Sequence, residues 1–304
     1  MGKKSKITVI GSSNTDMVVM TSHFPAPGET ILGGEFLMNA GGKGANQAVA
    51  AARLGGDVTF IGKVGADIFG EEAVNHVKKE RIDVSAITRD EKTPSGVAQI
   101  IVDSKGENCI VVAPGANMKL NRADIDNALE KINLAEILLM QLEVPIDTIL
   151  YAAKKAHQAG VKVILNPAPA ASLPDELYHY LYMITPNESE TGLLTGIKVT
   201  DEASAFKAAM IFKERGIEIT IITMGSKGAY VFSDDWKGAV PAFEVKPVDT
   251  TAAGDCFNGA LAVALAGGTT LKEAVTFANR AASIAVTRAG AQASLPFIEE
   301  VDKV

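Results

Sequence analysis

Short apolar runs rich in β-branched residues alternate along this chain with longer runs of helical period, and no other feature narrows the fold as far. The strand-like runs are 7–11, 57–64, 136–141, 161–165, 181–185 and 218–224, and the stretches 44–54, 70–80, 121–132, 147–159 and 201–215 between them carry helical spacing. Near the end, Leu271, Ala274, Val275, Ala278, Ala282 and Ala285 recur at three- and four-residue steps, which predicts one more helix with a single apolar stripe. A strand followed by a helix followed by a strand favours a parallel sheet, so the chain is expected to form a three-layer α/β/α unit with a mostly parallel central sheet.

Two places break the alternation. Residues 17–39 hold strand-like runs around Phe24-Pro25-Ala26-Pro27-Gly28-Glu29, and 95–112 read as two strands, 97–102 and 108–112, joined by Asp103-Ser104-Lys105-Gly106-Glu107. Together they predict a separate small β-sheet lid, formed by about 14–40 and 95–113 and inserted in a single unit that runs over 1–304. A sheet that thin has open edges and a bare face. A second subunit would cover both, so a homodimer through the lid is expected.

With 47% hydrophobic residues in 304, the chain can bury a large core. Its 36 acids outnumber 29 dispersed basic residues, which argues against a nucleic-acid partner and for a small-molecule substrate. Cys109 and Cys256 lie far apart and form no metal or disulfide spacing, so a reducing cytoplasm is the expected setting. The basic start Met1-Gly2-Lys3-Lys4-Ser5-Lys6 is followed by too short an apolar run for a signal peptide or a membrane span, and Lys6 stands where a myristoylation site needs Ser or Thr.

Chemistry concentrates in Asp249-Thr250-Thr251-Ala252-Ala253-Gly254-Asp255-Cys256-Phe257-Asn258-Gly259, a turn of small residues that runs into an apolar helix. The first N–H groups of a helix have no partner of their own, so this turn reads as an anion seat with a carboxylate beside it. Asp255, kept ionised by the helix dipole and backbone donors, could accept an alcohol's proton, or it could simply cap the helix. Cys256 reads as a small packing residue, or as a thiol whose pKa the helix start lowers. Thr223-Met224-Gly225-Ser226-Lys227-Gly228 ends a strand where open α/β sheets bind ligands, yet it is also an ordinary turn into the next strand. Gly41-Gly42-Lys43-Gly44-Ala45-Asn46 opens a helix with Lys and Asn donors suited to a polyhydroxylated ligand. Asn14 and Asp16 follow the first strand, where Asp can accept two hydroxyls. Asn187-Glu188-Ser189-Glu190 is either plain helix capping or a pair, Asn187 and Glu190, that orders water around magnesium.

Gly11-Ser12-Ser13-Asn14-Thr15-Asp16, Pro25-Ala26-Pro27-Gly28-Glu29-Thr30, Gly41-Gly42-Lys43-Gly44-Ala45-Asn46-Gln47-Ala48, Asn166-Pro167-Ala168-Pro169, Thr185-Pro186-Asn187-Glu188 and Asp249 to Gly259 occur together, in order, and on them the chain resembles the ribokinase family of carbohydrate kinases over nearly its whole length. The resemblance implies the layered α/β/α fold with a β lid and an ATP-dependent phosphorylation of D-ribose at O5. It implies that Asp255 is the catalytic base, and that Ala252, Ala253 and Gly254 form an anion hole for the γ-phosphate. Asn14, Asp16, Gly42, Lys43, Asn46 and Glu143 match positions that grip the sugar. For ATP it implies Asn187, Thr223, Gly225, Ser226, Gly228 and Asn279, with Glu190 holding Mg2+ through water. For a monovalent cation, K+, it implies the loop set Asp249, Thr251, Ala285, Arg288, Gly290 and Ser294. Many members of that family have Gly where Ala252 stands, and an alanine is expected to lose access to the positive φ that Gly allows. Deoxyribose, fructose or a nucleoside remain alternative acceptors, and a catalytically silent sugar-binding regulator is the alternative outside enzymes.

Overall fold

The computed structural model describes residues 5–303; Met1-Gly2-Lys3-Lys4, which carry the leader and myristoylation readings, lie outside the described residues. Thirteen strands run in chain order as β1 (Lys6–Ile10), β2 (Asn14–Met20), β3 (Phe36–Gly41), β4 (Asp57–Gly65), β5 (Asp83–Asp90), β6 (Gly96–Val102), β7 (Asn108–Ala113), β8 (Ile137–Met140), β9 (Lys162–Leu165), β10 (Met183–Ile184), β11 (Ile219–Thr223), β12 (Ala229–Phe232) and β13 (Lys237–Val240). The helices are α1 (Lys43–Arg53), α2 (Ile68–Lys79), α3 (Arg122–Asn127), α4 (Leu129–Asn133), α5 (Ile146–Gln158), α6 (Asp175–Tyr178), α7 (Glu188–Thr195), α8 (Glu202–Glu214), α9 (Ala253–Ala266), α10 (Leu271–Ala285) and α11 (Ile298–Val301).

Nine strands form one sheet in the order β13-β12-β11-β10-β9-β8-β1-β4-β5. Every pairing in it is parallel except those of β12, which runs antiparallel to both neighbours at one edge. Strand periodicity divides the core into two layers. Ile7, Val9, Ile137 and Leu139 point to the side that carries α1, α9 and α10, while Ile10, Leu138 and Met140 point to the side that carries α5. The expected three-layer architecture is present.

One expected helix is not continuous. The stretch 121–132 breaks at Ala128 (φ −106°, ψ 7°), which ends α3 and begins α4. Asp126 and Asn127, whose short polar side chains compete with helical backbone, stand just before the break.

The second sheet has the order β3-β2-β6-β7, with β2 parallel to β6 and the outer pairs antiparallel. Its register aligns Asn14 with Gly41 and Gly96, so three of its strands leave the main body at one level. Every residue of β7 is exposed, as are Met20, Phe36, Leu37 and Met38, and Leu32 stands 97% exposed. Among the described residues no helix is long and apolar enough to cross a membrane.

Candidate active site

The carboxyl ends of parallel strands are where an open α/β sheet leaves room for a ligand. Here the segments following β9, β10 and β11 meet the start of α9 around a cavity of about 520 Å³. Lys43, Asn187, Glu190, Thr223, Gly225, Gly228, Ala252, Ala253, Gly254, Asp255 and Asn279 line it. Distant parts of the sequence are thus brought to one site.

Asp255 stands in the first turn of α9, in the wall of this cavity, with 6% of its surface exposed. Its position follows from close packing of two small-residue helices. A Cβ on Gly259 would come within 2.7 Å of the Ala50 Cβ and 2.8 Å of the Gln47 carbonyl, so only glycine lets α9 lie this near α1. That contact delivers two amides to the carboxylate: Asn46 Nδ2 donates to Oδ2 and Gln47 Nε2 to Oδ1, each at 2.9 Å. The sequence pointed instead to backbone donors at the helix start. Those N–H groups point along the helix axis, whereas the side chain has turned across to α1. Burial is the largest influence on Asp255 and pushes its carboxyl above the usual range, while the Lys43 charge and the two amides pull it down.

Lys43 is the cation of the site. Burial alone would lower its pKa, but Asp255, Glu143 and Glu190 outweigh it and hold the ammonium above the ordinary lysine range. Glu143 is pinned by the Ser12 hydroxyl and by the Lys43 backbone N–H at 3.0 Å. Asp16, on β2, is raised to about 6 by burial first and then by the Glu143 and Asp255 charges. Asn14 accepts at 2.8 Å from Asn117 Nδ2, whose own amide oxygen accepts from the Ser13 N–H. Asn14, Asp16, Gly42, Asn46 and Glu143 are not part of the cavity wall; they continue the polar surface from Asp255 and Lys43 toward the small sheet.

At the other end Asn187 and Glu190 form a reciprocal capping box on α7. The Asn187 side chain accepts from the Glu190 N–H at 2.8 Å, and the Glu190 carboxylate accepts from both Asn187 nitrogens at 2.9 Å. The capping reading therefore holds, and the same two residues line the cavity. Desolvation raises the Glu190 carboxyl. Thr223 bridges to Asn187, and 225–227 form a short 3₁₀ turn between β11 and β12, so the turn reading and a position on the cavity wall coexist. Ser226 is exposed on that turn and does not line the cavity. The Asn279 amide donates to the carbonyls of Val240 and Pro241, both at 3.1 Å, tying α10 to the end of β13.

Ala252 contradicts its expectation. It adopts φ 59°, ψ 11°, the left-handed conformation that its Cβ disfavours by about 1–2 kcal/mol. The turn between Thr251 and α9 demands that geometry, and burial of α9 holds it. Of the donors in the turn, the Ala253 N–H bonds the Thr250 carbonyl at 3.2 Å. Among the described residues the N–H groups of Gly254 and Asp255 have no protein acceptor, and the space beside Gly254 is open, with nothing within 4 Å of where a Cβ would stand. Cys256 is fully buried, and burial pushes its thiol far up, which fits packing and opposes the reactive reading.

The loop set named for a monovalent cation lies beside this turn and outside the cavity wall. Asp249 joins two loops, accepting from the Thr251 N–H at 2.8 Å, the Thr251 hydroxyl at 2.6 Å and the Gly290 N–H at 2.9 Å. Burial opposes ionisation of Asp249, yet these bonds outweigh it and hold the carboxyl below its ordinary range. The Arg288 guanidinium pairs with Glu300, Ala285 and Ser294 are buried, and the Ala285 carbonyl accepts from the Arg288 N–H at 3.1 Å.

Several residues of the site carried no assignment from sequence. Gln47, Gln141, Asn166, Asn258 and Gln292 are buried amides: Gln47 meets Asn166 and Gln141, Asn258 accepts from the Thr185 hydroxyl, and Gln292 donates to Asn46. Their signal was present as amides inside apolar stretches: Gln47 in the Ala-rich α1 and Gln141 at the end of the fully buried β8. Burying an amide inside such an element is costly without a hydrogen bond, and these two meet each other, Gln141 Nε2 donating to Gln47 Oε1.

The match to a family model described as "pfkB family carbohydrate kinase" covers residues 4–298. Ribokinase of Haemophilus influenzae is 44% identical over 297 residues, 98% of this chain and 97% of that protein. The ribokinase structure from Thermotoga maritima superposes with a TM-score of 0.90 at 41% identity, covering 98% of each chain. The structure of Arabidopsis thaliana ribokinase complexed with ribose and ATP superposes with a TM-score of 0.92 at 32% identity, covering 99% of this chain and 98% of that one.

Proposed function

The chain belongs to the pfkB family of carbohydrate kinases, and we propose that it transfers the γ-phosphoryl group of ATP to O5 of D-ribose, releasing ADP and ribose 5-phosphate. The observation that carries this reading is Asp255, a buried carboxylate in the wall of the cavity, one residue from the open N–H of Gly254. In the reaction O5 attacks phosphorus, its proton passes to Asp255, and the bond from the γ-phosphorus to the bridging oxygen breaks as ADP leaves. The free N–H groups at the start of α9 and the Lys43 ammonium then face the charge that develops on the transferring group.

Asp16, Asn14, Gly42, Asn46 and Glu143, with Lys43, are our candidates for holding the sugar, and Asn187, Thr223, Gly225, Ser226, Gly228 and Asn279 for holding the nucleotide. Two carboxylates toward the small sheet favour an acceptor with adjacent hydroxyls, because a sugar lacking one would leave a buried acceptor unpaired. Among the described residues no cluster of three metal-ligating side chains exists, so Mg2+ fits as an ion held by the phosphates and by water, with desolvated Glu190 as the protein acid. Magnesium would neutralise phosphate charge. The ionised Asp249, held by N–H and hydroxyl donors, suits a monovalent cation between the loops at Thr251 and at Ala285, Arg288, Gly290 and Ser294, which would steady the turn before α9. Covering the bare small sheet by a second copy makes the working unit a homodimer, and two unpaired cysteines suit a reducing cytoplasm.

The test is ADP release over a panel of ribose, 2-deoxyribose, fructose and adenosine, with and without K+, for the wild type and Asp255→Ala. Ribose should lead the panel. Asp255→Ala should lose about 10²–10⁴-fold in kcat while keeping its melting temperature. Near wild-type turnover by Asp255→Ala would sink the mechanism, and ribose binding without ADP formation by the wild type would favour a silent sugar-binding protein.

A further inference from the structure

Asn166 belongs to a motif that the sugar and nucleotide assignments leave without a task, and it begins a chain of amides that ends on Asp255. Its Nδ2 donates to the backbone carbonyl of Thr185 at 3.1 Å. A carbonyl can only accept, so the amide of Asn166 has one orientation, and its Oδ1 faces Gln47. Gln47 Nε2 then donates twice, to Asn166 Oδ1 at 3.0 Å and to Asp255 Oδ1 at 2.9 Å. Its own oxygen accepts from Gln141 Nε2 at 2.5 Å. Turned over, Gln47 would set its oxygen against two other acceptors and its NH2 against that of Gln141. The second carboxylate oxygen is held in the same way, by Asn46 Nδ2, with Gln292 Nε2 donating to Asn46 Oδ1 at 3.1 Å.

We propose that Gln47 and Asn166 are positioning residues for Asp255, an amide relay anchored on the Thr185 carbonyl that keeps Oδ1 an acceptor and leaves only the cavity side of the carboxylate open to a proton. The inference rests on the reading of Asp255 as the base. Its chemistry answers a specific problem of the site, since burial opposes the ionised form that a base requires and each amide donor restores part of it. The charged and titratable groups that face Asp255 are Lys43, Glu143, Asp16, Glu190 and its neighbour Cys256; the relay adds donors without adding charge. Gln47 is fully buried and does not line the cavity, so solvent does not replace its donors when they are removed.

The experiment is the pH dependence of kcat, with ribose KM, for Gln47→Leu, Asn166→Leu and the double variant, beside Asp255→Asn. In Gln47→Leu the acidic limb of kcat should move up by about one unit, so that kcat on the acid side of the limb falls by up to about tenfold. Ribose KM should stay within about threefold, and activity should return toward wild type as pH is raised. Asn166→Leu should shift the limb the same way by less, and the double variant should match Gln47→Leu alone, because Asn166 acts through Gln47. A merely structural loss would lower kcat evenly across pH. An unmoved limb in Gln47→Leu overturns the proposal, as do effects of the two substitutions that multiply. Should Gln47→Leu fail to fold, Asn166→Leu at the cavity wall decides between the two outcomes through the same limb. If Asp255→Asn keeps turnover, the base reading falls; if it is inactive while Gln47→Leu has the wild-type profile, only the relay falls.

Discussion

The cavity around Asp255 and the small sheet above it differ in how complete each is within one chain. Around Asp255 the amides of Asn46, Gln47 and Asn166 find partners supplied by other parts of the same chain. The small sheet leaves Phe36, Ile110, Val111 and Val112 at 45–66% exposure. Polar groups buried in the main body must be satisfied on folding, since water cannot reach them later. Apolar groups on the sheet can wait for a partner, because their exposure costs only the area left wet. The main body therefore pairs most of its buried amides within one chain, and the small sheet leaves an apolar face that the proposed second copy would cover.

Breaking that contrast from the sheet side has the largest expected effect. Val111→Asp should convert a dimer into a monomer in light scattering, weakening association by about 100-fold or more, since a carboxylate would be buried unpaired at the interface. A wild type that is already monomeric at micromolar concentration would refute the covered sheet.

Asp16 lies where the two regions meet, and pH sharpens the contrast there. Its carboxyl titrates at about 6 in the fold against 3.8 unperturbed, raised by burial first and by Glu143 and Asp255 next. Ribose held by the ionised form should bind about tenfold more weakly at pH 5 than at pH 7, read by calorimetry without nucleotide. The sign for stability is opposite. A folded-state value above the unfolded one means that the unfolded chain gives up this proton first, so stability falls as pH rises from 3.8 to about 6 and stays lower above. Asp16→Asn should therefore raise the melting temperature of the ligand-free protein by about 2–4 °C while weakening ribose binding. Ribose affinity flat between pH 5 and 7 would remove Asp16 from the sugar site.

The smallest effect is expected at Ala252. Replacing it with Gly relieves the left-handed strain but frees the unfolded chain, and the two nearly offset. Ala252→Gly should shift the melting temperature by less than about 3 °C and kcat by less than about threefold. A larger drop in kcat would mean that the alanine holds the turn in register.

Most strands and helices were legible in the sequence because a period is a local property, but β5 and β13 were not among the runs read as strands. Residues 7–11 read as a strand since each apolar side chain meets one of two buried faces, whichever elements cover them. The small sheet was legible for the same reason, from turn residues between alternating runs. The break between α3 and α4 was not, because Asp126 and Asn127 also occur inside intact helices. The residues of the cavity could be named from their motifs, yet their partners could not. Asn46 and Gln47 lie about 210 positions from Asp255, and nothing in either segment specifies the other.

What the chain's order of residues determined by itself was most of the alternating elements, the glycines and small side chains at the turns, and the presence of one carboxylate at a helix start. Folding decided what that carboxylate touches. Its donors come from α1 because Gly259 admits Ala50 and Gln47 at contact distance, and its pKa direction comes from burial that only the packed layers create. Ala252 shows the same division: its residue type argued for negative φ, and the tertiary fit of α9 imposed φ 59° because the packed helix outweighs the strain of one residue.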